Sequence, residues 1–139
     1  MISRGIRNAN PGNIRWGDPW QGLVPAAQRS DPDFCQFTGP EWGIRAIAKI
    51  LKTYAEEGVT TLRQAINHWA PPVENDTDAY VNAVSAMTSI QPDIHIDFTT
   101  YEAVMPVVKA IIYHENGSQP YDQVTIDKGL SLAGMEDQT

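Results

Sequence analysis

The sequence has 139 residues, of which 42% are hydrophobic and 19% charged, a composition that predicts one globular domain over residues 1–139. The single Cys35 excludes an internal disulfide framework, and no Cys and His residues have the spacing of zinc ligands, so no metal is expected. We see no signal peptide and no run long enough to span a bilayer, and therefore expect no membrane insertion. The net charge of −7 argues against nucleic acid as a partner.

The charge is unevenly distributed along the chain. Residues 1–73 carry eight Lys or Arg against six Asp or Glu, whereas residues 74–139 carry two against eleven. A small basic region beside an acidic body is compatible with local binding of an anionic polymer. It is equally compatible with no binding role.

The N-terminal forty residues are predicted to form loops and a small β element. Pro11 followed by Gly12 favours a type II turn within residues 8–13. Residues 14–16 and 34–37 are short strand candidates, separated by a segment rich in Pro, Gly and Asp.

The remainder of the chain is predicted to be helical. Thr38 and Glu41 have capping-box spacing, and an apolar stripe after them predicts a helix that ends at Gly58. Further helices are predicted from Thr60 or Thr61 to Trp69, around Tyr80 to Met87, from Thr99 or Thr100 onward with Pro106 as a late start or a kink, and between Tyr121 and Leu132 with Val124, Leu130 and Leu132 as anchors. The fold class is therefore mainly α (α+β), with a small β element near the N-terminus.

Glu115 occupies an unusual position for a carboxylate. It extends the apolar stripe of Val108, Ile111 and Ile112 by one helical turn, and Asn116-Gly117 is a helix-stop signal. The C-terminal end of a helix disfavours an acid, and apolar neighbours favour the neutral form of a carboxyl. Both conditions suit a general acid. The plain alternative is a solvated Glu at a frayed helix end.

The other candidate residues are also carboxylates beside aromatic and amide side chains, which is the composition of sites that cleave sugar chains. Phosphate-binding loops, nucleophile elbows and zinc-protease motifs are absent from the sequence. A second carboxylate could come from two groups of acids: Glu74, Asp76 and Asp78 in one loop, or Asp18, Asp31 and Asp33 near the predicted strands.

Residues 7–16, with Asn10, Pro11, Gly12 and Asn13 at their centre, resemble the NNPGN(I/L)R segment of many phage virion proteins and cell-wall lytic enzymes. Trp20-Gln21-Gly22, Phe34 and Phe37 before the residue 43–46 helix, residues 69–80 and residues 112–117 are also similar to that group. The resemblance covers most of residues 4–117. It implies a phage or prophage protein, with other virion proteins as further candidate partners.

A second resemblance, to lysozyme-like glucosaminidases and lytic transglycosylases, concerns the mechanism. In those proteins a helix that ends in a catalytic Glu precedes an asparagine segment and a Thr-Asp-Pro-x-Tyr segment. Here the asparagine segment and Thr77-Asp78-Ala79-Tyr80 occur in that order, but the acid-bearing helix comes last. The resemblance therefore implies a circularly permuted, lysozyme-like helical domain in which Glu115 packs beside Asn10, Asn13 and Tyr80.

Together the resemblances imply an enzyme that cleaves the glycan strand of peptidoglycan by hydrolysis or by a lytic transglycosylase reaction. Glu115 would be the general acid and Glu74 the second carboxylate. The substrate-binding residues would be Asn10, Asn13, Arg15, Trp16 and Tyr80. Neither reaction requires a metal or an organic cofactor. We expect the protein in the phage virion, or in the host cytoplasm before delivery to the periplasm.

Two other functional classes are compatible with the same sequence. A non-catalytic virion or host-interaction protein could bind cell wall or a protein partner, and an inhibitor could bind a host lysozyme. At the residue level, the Asn10 to Asn13 segment could be only a tight turn, Tyr80 could be a core residue, and Arg15 could form a surface ion pair.

Overall fold

The computed structural model describes residues 2–138 and is mainly helical, as the sequence predicts. Its α-helices span Arg4–Arg7 (α1), Pro40–Glu56 (α2), Leu62–Trp69 (α3), Thr77–Thr88 (α4), Tyr101–Asn116 (α5) and Gln123–Leu132 (α6), and a 3₁₀ turn spans Ala26–Gln28. Helices α2 to α6 all occupy segments predicted as helical. The sequence does not predict α1, because four residues are too few to show helical periodicity.

Polar caps fix where five of the described α-helices begin. At the starts of α1, α3, α4, α5 and α6, a cap side chain accepts a hydrogen bond from the backbone N–H three residues further on; the caps are Ser3, Thr61, Asp76, Thr100 and Asp122. Because Thr100 caps α5, the helix begins at Tyr101 and includes Pro106. The alternative in which the helix starts late, at Pro106, is therefore wrong.

The capping box predicted for α2 does not form. The N-cap is Gly39, which has no side chain to donate or accept a cap hydrogen bond. Thr38 instead donates its Oγ1 hydrogen to the Gly22 carbonyl (3.1 Å) and so joins the N-terminal loop region to the start of α2.

The core lies between α2, α5 and α6, with α4 packed against α5 and α3 packed against α4. Its largest fully buried side chains include Ile44, Ile47, Leu51, Tyr80, Ile111, Ile112, Ile126 and Leu130. The prediction for α6 is only partly right. Leu130 is buried as predicted, whereas Val124 is 76% exposed and Leu132 38% exposed; the other buried anchor is Ile126, four residues before Leu130 on the same helix face.

The predicted N-terminal β element does not develop into strands in the described residues. In the described residues its two segments meet at one isolated antiparallel bridge, Arg15 with Phe34, and Phe37 forms a second bridge with Leu23, which lies outside both segments. Side chains form hydrogen bonds with backbone groups that a longer β-ladder would use. Asn10 binds the N–H and C=O of Ile14 and the carbonyl of Cys35, for example.

A search of the described helices for a bilayer-crossing segment finds none with the required length and apolar character.

Candidate functional site

A cleft of about 420 Å³ opens where residues 8–13, called the bend below, meet the ends of α3 and α5. It is lined by Gly12, Asn13, Ile14, Arg15, Phe34, Ile50, Tyr54, Trp69, Ala70, Glu74, Asn75 and Glu115. Four of the residues singled out from the sequence therefore share one cleft: Asn13, Arg15, Glu74 and Glu115.

Glu115 enters this cleft from the last turn of α5. The helix ends at Gly117, whose φ of 72° is left-handed and whose N–H donates to the Tyr113 carbonyl (2.7 Å). The carboxyl group is half-buried and accepts two hydrogen bonds. Asn13 Nδ2 donates to Oε1 (3.0 Å), and the Tyr80 hydroxyl donates to Oε2 (2.8 Å). Two segments distant in sequence thus fix the orientation of one acid.

Asn13 reaches Glu115 because of an uncommon backbone conformation. Its φ is +51°, in the left-handed region that Asn tolerates better than most residues. The preceding turn is closed by a hydrogen bond from Asn13 N–H to the Asn10 carbonyl (3.0 Å). Gly12 has no positive φ, so the predicted type II turn is wrong, and the left-handed residue is Asn13 instead. The Asn13 Oδ1 is buried without a hydrogen-bond partner within residues 2–138.

Asn10, in contrast, does not reach the cleft. It is fully buried, and its amide binds the Ile14 N–H (3.0 Å), the Ile14 carbonyl (2.9 Å) and the Cys35 carbonyl (3.0 Å). These bonds hold the loop on either side of Asn13. Asn10 therefore holds the backbone of the loop and does not face the cleft, where the sequence predicts a substrate contact.

Tyr80 is a buried residue of α4 whose hydroxyl points at the site. Burial, followed by the nearby charge of Glu115 and the hydrogen bond to it, raises the pKa of Tyr80 well above its ordinary value, with Trp69 acting in the opposite direction. The phenol therefore stays protonated at neutral pH and can donate to the carboxylate. Its ring stacks on the ring of His114, with centroids 3.8 Å apart.

Asn116 joins three segments next to Glu115, and its role is not evident from the sequence. Its Nδ2 donates to the Pro11 carbonyl (2.8 Å) and to the Ile112 carbonyl (2.9 Å), while its Oδ1 accepts from Ser3 Oγ (2.6 Å). The end of α5 is thereby fastened to the bend and to the start of α1. In the sequence, Asn116 before Gly117 reads only as a helix stop, which hides the second function of its amide.

The bend also rests directly on α2. A Cβ placed on Gly43 would lie 2.3 Å from the Ala9 carbonyl oxygen and 2.8 Å from Pro11 Cδ. Only glycine at position 43 allows the bend to lie this close to α2, so the bend packs directly against that helix.

The acidic candidates separate into two groups. Glu74 lies on the exposed loop before α4 and lines the cleft that contains Glu115. Asp31 is instead committed to the N-terminal region, where it pairs with Arg4 (2.6 Å) and accepts from Asn8 Nδ2 (2.8 Å). The Arg4 guanidinium lowers the pKa of the Asp31 carboxyl far below its ordinary value. Of Glu74 and Asp31, only Glu74 lines the cleft.

Trp16 lies outside the cleft. Its Nε1 donates to the Asp31 carbonyl (2.7 Å), and the Arg29 guanidinium lies 4.4 Å from its ring. The aromatic residues that do line the cleft are Phe34, Tyr54 and Trp69. Trp69 is the last residue of α3 and is half-buried beside the cleft.

A resident metal has no obvious place in the part of the chain that the structure describes. Within residues 2–138, no three His, Cys, Asp or Glu side chains converge in an arrangement that could hold an ion.

Comparison with known proteins places the chain in a phage family. The sequence is 42% identical to Protein P5 of Pseudoalteromonas phage PM2 over 133 residues, which cover 92% of this chain and 80% of the phage protein. The chain belongs to the Protein P5 family. No family model matches the sequence. A phage relative agrees with the phage association that the motifs imply, and the name Protein P5 states no activity.

Proposed function

We propose that this member of the Protein P5 family cleaves the glycan strand of peptidoglycan, with Glu115 as the general acid. The observation that carries the proposal is the Glu115 carboxyl in the cleft, bound by Asn13 from the bend and by Tyr80 from α4. The contact of a terminal-turn Glu with an asparagine segment and a tyrosine supports a permuted lysozyme-like arrangement. The lysozyme-like relationship itself is part of the proposal.

The first chemical step uses Glu115 as a proton donor. Its carboxyl protonates the glycosidic oxygen as the bond from C1 to that oxygen breaks, which leaves an oxocarbenium-like sugar and an ionised Glu115. The hydrogen bonds from Asn13 and Tyr80 stabilise this ionised state. Because a phenol both donates and accepts, Tyr80 can also accept a hydrogen bond while the acid is protonated.

The second step completes the reaction on the sugar. Water gives hydrolysis, whereas attack by the sugar's own hydroxyl gives an anhydro product, and in either case Glu115 recovers the proton. Glu74 is the proposed second carboxylate because it lines the same cleft. Asn13 and Arg15 are proposed to contact the sugar chain. Asn10 and Trp16 would act indirectly, through the shape of the N-terminal region.

The phage relative supports a place for this activity. We propose that the protein acts on the wall from the virion, or reaches the periplasm after synthesis in the host cytoplasm. Other virion proteins would then be its partners, and peptidoglycan its substrate.

The decisive experiment compares the wild type with Glu115→Gln on purified peptidoglycan. We expect wild type to lower the turbidity of the suspension and Glu115→Gln to be slower by about 100-fold or more, since general acid catalysis contributes roughly that factor. The matched control is Glu102→Gln. Glu102 is an exposed acid in the first turn of α5, at the end of the helix remote from the cleft, so its loss should leave the rate unchanged.

Mass spectrometry of the released fragments identifies the reaction. Anhydro ends indicate the lyase route, and reducing ends indicate hydrolysis and show which sugar was cut. Folded wild-type protein that releases no fragments, or Glu115→Gln that works at the wild-type rate, would refute the proposal. Binding to the wall without release would indicate the non-catalytic virion role instead.

A further inference from the structure

Arg15 is the cationic residue of the cleft. Of the described residues that line the cleft, Arg15 alone has a cationic side chain. Arg15 is exposed. A carboxylate-bearing polymer entering this cleft would be attracted at this position.

The guanidinium of Arg15 is available to a ligand. Nowhere in residues 2–138 does it donate a hydrogen bond, and no carboxylate there forms an ion pair with it. Other arginines differ: Arg4 is paired with Asp31 (2.6 Å), and Arg63 with Asp93 (2.8 Å). The surface-pair alternative raised by the sequence therefore does not apply to Arg15, whose five N–H donors remain unused.

Phe34 restrains the side chain without consuming those donors. The Arg15 guanidinium carbon lies over the Phe34 ring, 4.9 Å from its centroid, and a β-bridge fixes the two backbones side by side. A ring attracts the cation through its face, so the N–H groups can still bind a planar anion. Phe34 also lines the cleft, and the restrained guanidinium is thus next to the path of a ligand.

From these observations we propose that Arg15, held over Phe34, is a carboxylate-binding subsite that selects glycans carrying carboxylates over neutral glycans. Arg is the side chain best suited to a carboxylate because its donors match the two oxygens. In a peptidoglycan strand the carboxylates belong to the peptide side chains, so the subsite would read the substituent rather than the sugar. This identification of the glycan rests on the proposed function, but the charge preference does not.

The test measures binding by calorimetry in a Glu115→Gln background, where the ligand is not consumed. The probes are a peptidoglycan tetrasaccharide with its peptides and the same compound with every carboxylate converted to an amide. We expect the carboxylate form to bind roughly tenfold more tightly, as a charge-assisted pair in a partly open cleft allows. Arg15→Gln should abolish that preference by weakening only the carboxylate form, and Arg15→Lys should retain part of it.

Arg29→Gln is the matched control. Arg29 is also an exposed arginine over an aromatic ring, that of Trp16, but it does not line the cleft. Its loss should leave the preference intact. Circular dichroism melts of all variants confirm that each is folded.

Three results would overturn the inference. The Glu115→Gln protein could show no preference for the carboxylate ligand, the preference could survive Arg15→Gln, or Arg15→Gln could weaken the binding of both ligands equally. Its failure is separable from that of the proposed function. A protein that degrades peptidoglycan without any Arg15-dependent preference refutes the subsite alone. A wild type that degrades nothing, but binds carboxylates through Arg15, refutes the catalytic role alone.

Discussion

Tyr80 is a core residue whose hydroxyl group contacts the proposed catalytic acid. Its ring is buried among helices, whereas its oxygen is hydrogen-bonded to Glu115 at the edge of the cleft. Tyr101 is a close counterpart elsewhere in the molecule, because its hydroxyl donates to Asp127 (2.6 Å). The hydrogen bond to Asp127, with burial, raises the pKa of Tyr101 to about 12. The two tyrosines therefore make similar bonds, only one of which involves the proposed acid.

Tyr80→Phe is expected to reduce the rate of peptidoglycan cleavage about tenfold, since it removes one donor to the ionised acid. The ring remains, so the free energy of unfolding should fall by only about 1 kcal/mol. Tyr101→Phe should cost similar stability and leave the rate unchanged. Turbidity rates and urea titrations measure the two effects. Equal rates for Tyr80→Phe and wild type would exclude Tyr80 from the chemistry.

The residue scale also shows where the sequence is informative. The helix face and stop signal locate Glu115 at a helix end, and the resemblance to lysozyme-like proteins predicts its contacts with Asn13 and Tyr80. The sequence does not distinguish Asn10 from Asn13, because both are amides in one turn. Only the fold turns Asn10 inward onto Ile14 and Cys35, and its burial shows it is not a ligand contact.

At the scale of elements, α1 is the shortest helix and among the most consequential for the site. Gly5 of α1 lies against the end of α5 and the bend. A Cβ built on it would be 2.6 Å from Asn116 Oδ1, 2.8 Å from Asn13 Oδ1 and 2.9 Å from the Asn10 carbonyl oxygen. These atoms belong to Asn13, which donates to Glu115, and to the two asparagines that hold the turn before Asn13 and the end of α5. The position of α1 therefore affects where the Glu115 carboxyl group lies.

Gly5→Ala is expected to displace Asn13 and Asn116 and to slow cleavage at least tenfold. Alanine favours a helix more than glycine does, but overpacking should outweigh this and destabilise the protein by about 1–3 kcal/mol. Gly17→Ala is the control, since a Cβ there meets no atom within 4 Å. Cleavage assays and thermal melts report both effects, and unchanged activity in Gly5→Ala would contradict this role for α1.

Prediction of the elements succeeds where a long apolar stripe or a cap is present and fails where pairing is required. Helix α3 is marked by Thr61, and α5 by Thr100, at the positions that the sequence suggests. The β element depends on which groups bind the backbone of residues 14–16 and 34–37. The Asn10 amide binds the backbone of Ile14 and Cys35 in those segments, and no spacing rule foresees this.

For the whole molecule, acid sensitivity is concentrated in a few aspartates. Asp31 is the most strongly affected, because Arg4 lowers its pKa well below the ordinary 3.8, and Asp93, Asp97 and Asp122 are also lowered by hydrogen bonds. An acid with a depressed pKa stabilises the folded state fully above its ordinary pKa. That contribution disappears progressively as the pH falls through the folded-state value.

The melting temperature is therefore expected to fall as the pH drops below about 4. Asp31→Asn should lower it at neutral pH, where the pair with Arg4 is lost, and flatten the decline in acid. Asp18→Asn is the control, since the Asp18 carboxylate makes no hydrogen bond in the described chain. Melts from neutral to acidic pH test this. A decline equally steep in Asp31→Asn would assign the acid sensitivity to other groups.

The bond between Asn13 and Glu115 joins residues 102 positions apart, and that between Ser3 and Asn116 joins residues 113 apart. During translation, the bend leaves the ribosome long before α5 is synthesised. Nascent or prematurely terminated chains that stop short of Glu115 consequently lack both the proposed proton donor and the support of Asn116. The proposed activity would therefore arise only after synthesis has passed Asn116.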